Sequence, residues 1–189
     1  MLTLEQQIGY MGAIRSEGGE EKSLPIINGM RAKAVTKYVA GTTASLLLNN
    51  GKIIRPETLK AVGTTNFDTG NRLPKGTRLL VTGIRTLWDI TAAATIADAN
   101  WDGAIPVACA NGEFEISQKG QGTLFSASGT DVSNFKASTG NDADFRDVVP
   151  FILRDQTEFQ IVFSVNGTPT VGVYKVELRC IELTEGDTN

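Results

Sequence analysis

DFRDVVPFILRDQTEFQIVFSVNGTPTVGVYKVELRCIEL, residues 144–183, holds the two most regular alternations in the chain. In Thr157–Val165, Phe159, Ile161, Phe163 and Val165 share one face. Glu158, Gln160 and Ser164 share the other, with Val162 as the apolar exception. A sheet with one buried side requires this period of two. Asn166-Gly167-Thr168-Pro169 then interrupts the run, because Asn and Gly tolerate positive φ and Pro cannot donate to a ladder. The chain resumes as Val171–Leu183, with Tyr174, Val176, Leu178 and Cys180 on one side and Lys175, Glu177 and Arg179 on the other. At Cys180-Ile181 the phase slips by one residue, which predicts a bulge or the strand's end. The simplest reading is a long antiparallel hairpin. A lone hairpin is unstable in water, so further strands must come from the rest of the chain.

Working back, Val148–Leu153 contains Pro150 and reads as an edge or bulged strand. Gly129–Asp142 is polar and loop-like. Glu113–Ser117 predicts a strand with Phe114 and Ile116 inward, and Lys119-Gly120-Gln121-Gly122 turns it into Thr123–Ser126. Asp89–Ala99, alanine-rich with Asp89 as a cap, predicts one short connecting helix. Lys75–Arg85 predicts a strand with Leu80, Thr82 and Ile84 on one face and Leu79 and Val81 on the other. The N-terminal part is weaker. A short helix is expected at Thr3–Arg15, then a polar hinge at Ser16–Ser23. Short strands follow, with a hairpin at Asn50-Gly51. The sum is an all-β chain of about eight strands, a sandwich or barrel.

With 189 residues and 41% apolar composition, one domain with an extension can bury a core unaided. No apolar run reaches the length of a membrane-spanning helix. The N-terminus lacks the basic-then-apolar order of a signal peptide. Cys109 and Cys180 read as two buried free thiols. Net charge is −3, yet residues 1–85 hold 12 Lys/Arg against 6 Asp/Glu and residues 86–189 hold 6 against 15. Folding is expected to mix these halves.

The chain has no histidine, which excludes Ser-His-Asp and Cys-His nucleophile systems and His metal sites. Gly120-Gln121-Gly122-Thr123-Leu124-Phe125 is not a dinucleotide fingerprint, and no phosphate-binding loop is present. No cofactor is implied. Glu113 and Glu115 would project from one strand face roughly 7 Å apart, a spacing that suits glycoside cleavage. A solvated outer face is the plainer reading. Asn141, Asp142, Asp144 and Asp147 could hold a hard cation, but depart from the calcium-loop spacing and read as a solvated acidic loop. Arg31, Lys33 and Lys37 are a small basic cluster, read as a solvated face rather than a phosphate patch. No catalytic, cofactor-binding or metal residue is therefore assigned, and no enzyme activity is expected.

Four segments, LPKGTRLLVTGIR (73–85), WDGAIPVACANGEFEISQKGQGTLF (101–125), DFRDVVPFILRDQTEFQIVFS (144–164) and GVYKVELRCIEL (172–183), together resemble the jelly-roll capsid proteins of tailless icosahedral bacteriophages, including those with an internal membrane. In such proteins a strand ends in Pro, a decorated turn follows, and a long hairpin closes the sandwich. The pattern is matched at Val148–Pro150, at Leu153–Thr157 and at 157–183. The resemblance implies a single jelly roll over 73–189, preceded by an arm, 1–72, with a short helix and short strands. It implies a structural virion protein, assembled in the host cytoplasm, whose partners are other copies of itself and other capsid proteins. A viral membrane or the genome would lie on the inner face, and no small-molecule substrate is implied. The alternative is a receptor- or carbohydrate-binding β-sandwich of a spike or accessory protein. It would need an exposed aromatic platform drawn from Tyr10, Tyr38, Trp88, Trp101 and Tyr174.

Overall fold

The computed structural model describes residues 26–27, 30–92, 94–101, 103–137 and 145–185. Two antiparallel sheets face each other. One contains β1 (Ile26–Ile27), β2 (Met30–Thr42), β3 (Thr77–Asp89), β6 (Arg146–Leu153) and β8 (Val173–Glu185), ordered β1-β2-β8-β3-β6. The other contains β4 (Glu113–Gln118), β5 (Gly122–Ser128) and β7 (Phe159–Ser164), ordered β5-β4-β7. The all-β sandwich expected from the alternations is present.

The hairpin is not. β7 pairs with β4, whereas β8 pairs with β2 on one side and β3 on the other. The intervening residues cross from one sheet to the other. Alternation states which face of a strand is buried, and both inner faces bury into the same core, so the pattern is identical for hairpin and crossover. Thr43 holds the crossover in place: its N–H donates to Gly172 O (2.9 Å) and its hydroxyl to Thr170 O (2.8 Å).

The core forms where the inner faces meet. Phe159, Ile161 and Phe163 of β7 pack in one cluster with Tyr174, Val176 and Leu178 of β8. Trp88, fully buried on β3, sits 5.5 Å edge-on to Phe163 and 5.9 Å from Tyr174. At the far side Phe125 stacks on Phe151 at 6.4 Å, joining the edge strands β5 and β6. Gly41 is needed here, because a Cβ would lie 2.7 Å from the Tyr174 hydroxyl.

The expected bulge lies on the neighbouring strand. The register of β3 slips between Val81 and Gly83, opposite Cys180 and Arg179, while β8 continues to Glu185. The extra residue, Thr82, reverses the phase of β3. Leu79, Val81 and Ile84 therefore all enter the core, and Leu80 faces outward. Ile181 and Leu183 belong to that outer face, in a second cluster with Met30, Ala32 and Leu80. β6 is an edge strand, as Pro150 suggested, and runs past Pro150 to Leu153 with an irregular register against β3.

The boundary drawn at residue 73 does not divide the described residues. The short strand β1 is present at Ile26–Ile27, but β2 beside it is 13 residues long and pairs with β8 along its whole length. Val39, Leu46, Ile53, Ile54 and Phe67 lie in the main core, with Phe67 5.3 Å from Phe159. Nor is there a hairpin at Asn50-Gly51. These residues take positive φ (51° and 74°) and lead from a short helix, Thr43–Leu48, into an antiparallel bridge with β7. Phe163 N–H donates to Gly51 O, and Ile53 N–H to Ile161 O, both at 2.8 Å. A Cβ on Gly51 would meet Phe163 O at 2.3 Å.

The helix expected at Asp89–Ala99 is absent from the described residues there. β3 runs through Asp89, and turns follow. The Asp89 carboxylate accepts N–H bonds from Thr91 (2.9 Å) and Asn100 (2.8 Å), so it closes a loop instead of capping a helix. The Thr95 hydroxyl donates to Asp98 within that loop. Such local side-chain bonds compete with helix formation and here override the alanine propensity. Among the described residues the helical turns are Thr43–Leu48, Val107–Ala110 and a 3-10 helix at Gly129–Phe135, the last inside a stretch read as loop. The helix at Thr3–Arg15 and the hinge at Ser16–Ser23 lie outside the described residues.

Two predictions follow from this packing. Phe163→Ala should cost about 3–5 kcal/mol in urea unfolding, whereas Val149→Ala, 88% exposed on the edge strand, should stay within about 0.5 kcal/mol. A chain starting at residue 73 should be unfolded by circular dichroism, because it lacks β2.

Candidate functional site

The densest group of charges lies on the outer face of the five-stranded sheet. Arg85 of β3 and Glu177 of β8 are cross-strand neighbours and form a buried ion pair, Nε to Oε2 2.6 Å. Lys175 Nζ is 3.7 Å from Glu177 Oε1 and lies between two rings, 5.4 Å from the centre of Tyr38 and 4.8 Å from that of Trp101. The Arg85 guanidinium is 4.3 Å from the Phe145 ring, and that of Arg179, which pairs with Asp147, is 5.6 Å from it. Arg85 was not singled out in the sequence because the bulge at Thr82 conceals its face. Its available signal was position, a charge in mid-strand beside an otherwise apolar run. The arrangement fastens Trp101 and Phe145 to the sheet by cation–π contact. It presents no free charge to a substrate, since each charged group already has a partner.

A groove of about 620 Å³ runs beside the edge strand β6, with Leu80, Pro150, Phe151 and Ile152 as its apolar wall and Arg78 and Arg154 at its polar margin. A smaller cleft of about 90 Å³ includes Lys37, Asp68, Arg72 and Glu182. Its charges are satisfied: Lys37 pairs with Glu182 at 3.0 Å, Asp68 with Lys60, and Arg72 with Glu158. The hydrogen bond from Lys60 holds Asp68 below the usual carboxylate range, and that from Arg72 does the same for Glu158. Three pairs, Lys37–Glu182, Arg72–Glu158 and Arg85–Glu177, join the basic half of the sequence to the acidic half, so folding intermixes the two as expected.

The sequence candidates are dispersed. Glu113 and Glu115 stand on β4 with Phe114 buried between them, so both face away from the core. Glu115 accepts a bond from the Thr123 hydroxyl at 3.2 Å, and neither glutamate lines the two hollows above. Asn141, Asp142 and Asp144 lie outside the described residues, and Asp147 is paired with Arg179. Arg31, Lys33 and Lys37 share one face of β2, facing Thr184, Glu182 and Leu178 of β8. Among the described aromatics, Trp88 and Tyr174 are buried, while Tyr38 and Trp101 flank Lys175. None of these four forms a bare platform for a sugar ring. Tyr10 lies outside the described residues.

The register brings four connections to one end of the sandwich. In one sheet Thr42 and Asp89 both stand opposite Val173, and in the other Ser128 and Ser164 both stand opposite Glu113. The chain therefore leaves or enters strands at this end over 42–51, 89–113, 128–146 and 164–173. Asn166 N–H donates to Ala108 O (2.8 Å), and Thr43 binds the 170–172 turn. Compared with protein-family models, with curated proteins and with solved structures, the chain has no significant match.

Cys109 and Cys180 are both free and buried, and burial pushes both thiols up to about 12. Little thiolate exists at neutral pH. An aromatic disulfide reagent at pH 8 should label neither cysteine in the native protein and both after denaturation. Rapid native labelling would show that one of them is accessible.

Proposed function

We propose that this chain is a structural virion protein, a shell subunit used in many copies and folded as a single jelly roll. The observation that carries the reading is strand order. A jelly roll of eight strands places its first, eighth, third and sixth strands in one sheet and its second, seventh, fourth and fifth in the other. With the short 51–53 segment that bridges β7 counted as second, the two sheets read β2-β8-β3-β6 and 51–53-β7-β4-β5, with β1 added at one edge. That order supports the fold implied by the likeness to phage capsid proteins. Double-sheet jelly rolls are common in viral shells, though lectins also use them, so the virion role leans on the sequence resemblance as well.

The physical requirements of a shell subunit fit what is seen. A shell of many copies needs a stiff body, and the body here is a sandwich with one main hydrophobic core. Closed shells arise from repeated interfaces between identical subunits. With β2 inside the sandwich, the proposed locking arm shortens to the residues before β1. Light scattering and electron microscopy of the purified chain test the reading. Concentration-dependent, uniform assemblies are expected, and removal of residues 1–23 should leave the melting temperature unchanged while reducing assembly. A chain that stays monomeric at every concentration, alone and with the other shell proteins of its own virion, would defeat the proposal. Specific glycan binding by that monomer would favour the carbohydrate-binding alternative.

A further inference from the structure

Three of the four connections at the sandwich end contain a stretch without charge. Residues 41–51 (GTTASLLLNNG), 103–112 (GAIPVACANG) and 165–173 (VNGTPTVGV) hold no Asp, Glu, Lys or Arg, in a chain that is 21% charged. Outside these stretches the same connections carry the exposed Asp98, Asp131 and Arg146. The three stretches are tied together by the bonds of Thr43 to residues 170–172 and of Asn166 to Ala108. Each also carries a large aliphatic side chain in the open: Leu48 is 83% exposed, Val107 73% and Val171 62%. Single exposed aliphatics are ordinary. Three of them, on separate connections fastened to one another and cleared of charge, have the composition of an interface centre, where charged residues are depleted.

We infer that this end is a self-association surface whose occupant is the same end of a second copy. The inference rests on the shell-subunit reading only in assuming that the chain associates with itself. The absence of charge from these three stretches selects the partner. When a patch meets its own copy across a symmetry axis, any fixed charge near that axis meets a like charge, which disfavours the contact. A contact centred on the three uncharged stretches escapes that repulsion. Nucleic acid or an anionic membrane would instead require Lys or Arg here, and the three stretches have neither. Burial of aliphatic side chains does not depend on ionic screening, so this contact should persist as salt rises.

The test introduces charge into the three uncharged stretches. Leu48→Glu, Val107→Glu and Val171→Glu are made singly, so that a folding failure at one position leaves the other two. Gln160→Glu, on the outer face of β7, is the control. Circular dichroism checks the fold, and light scattering across a dilution series reads the association midpoint. Each end variant should need at least about tenfold more protein to associate, given the cost of burying an unpaired charge. Gln160→Glu should behave as the native chain does. Native association should not weaken between about 0.1 M and 1 M sodium chloride. Mixing Leu48→Glu with Leu48→Lys should restore association, because the meeting ends then carry opposite signs. If the native chain associates and folded end variants associate equally well, this surface is wrong while self-association stands. Failure of the mixture to recover would overturn the same-end contact. A native chain that never associates would overturn both this inference and the shell reading.

Discussion

β8 has a partner on each edge, and the remaining structure depends on that arrangement. Its 13 residues are bonded to β2 on one side and β3 on the other, so three long strands form the spine of the larger sheet. The spine fixes both faces at once. Inward, Tyr174, Val176, Leu178 and Cys180 meet the aromatic floor supplied by β4 and β7. Outward, Glu177 holds Arg85 while Lys175 and Arg179 hold Trp101 and Phe145 by their rings. A central strand with so many obligations cannot also be the arm of a hairpin. The chain must therefore cross between sheets after Ser164, and that crossing creates the 165–173 turn at the sandwich end.

The outer ion pair shows how this sheet tolerates a covered second face. Removing two charges from water is costly, and their attraction compensates only when geometry is good and other bonds are made. The Arg85–Glu177 contact at 2.6 Å, with Lys175 and Phe145 beside it, meets those conditions. Its role is to order the segments that cross the face. Losing this buried pair should cost more than losing an exposed pair such as Arg55–Glu57.

Much of this was legible from residues. The inward faces of β4, β7 and β8, the edge position of β6 and the buried state of both cysteines follow from alternation, from Pro150 and from composition. The partners of each strand did not, because a period of two encodes a face and not a neighbour. β2 was underread because Ala32, Ala34 and Ala40 on one face and Gly41 on the other give little hydrophobic contrast, although Ala32 is 1% and Ala40 4% exposed. The helix at 89–99 was overread because alanine content outweighed Asp89, Thr95 and Asp98, whose side chains bond locally. Of the candidate groups, the described acidic and basic residues lie on strand faces and in ion pairs. The surface proposed for self-association was marked by an absence of charge in three separated stretches, a signal that has meaning only once strand register brings those stretches to one end.

The central structural claim is that β8 lies between β2 and β3 and that β7 belongs to the opposite sheet. Main-chain nuclear Overhauser contacts in an isotope-labelled sample test it directly. The account predicts cross-strand contacts from Val176 to both Val39 and Thr86, and from Phe163 to Phe114. A continuous ladder of main-chain contacts between residues 159–164 and 173–178, with none from Val176 to Val39, would restore the hairpin and contradict the account.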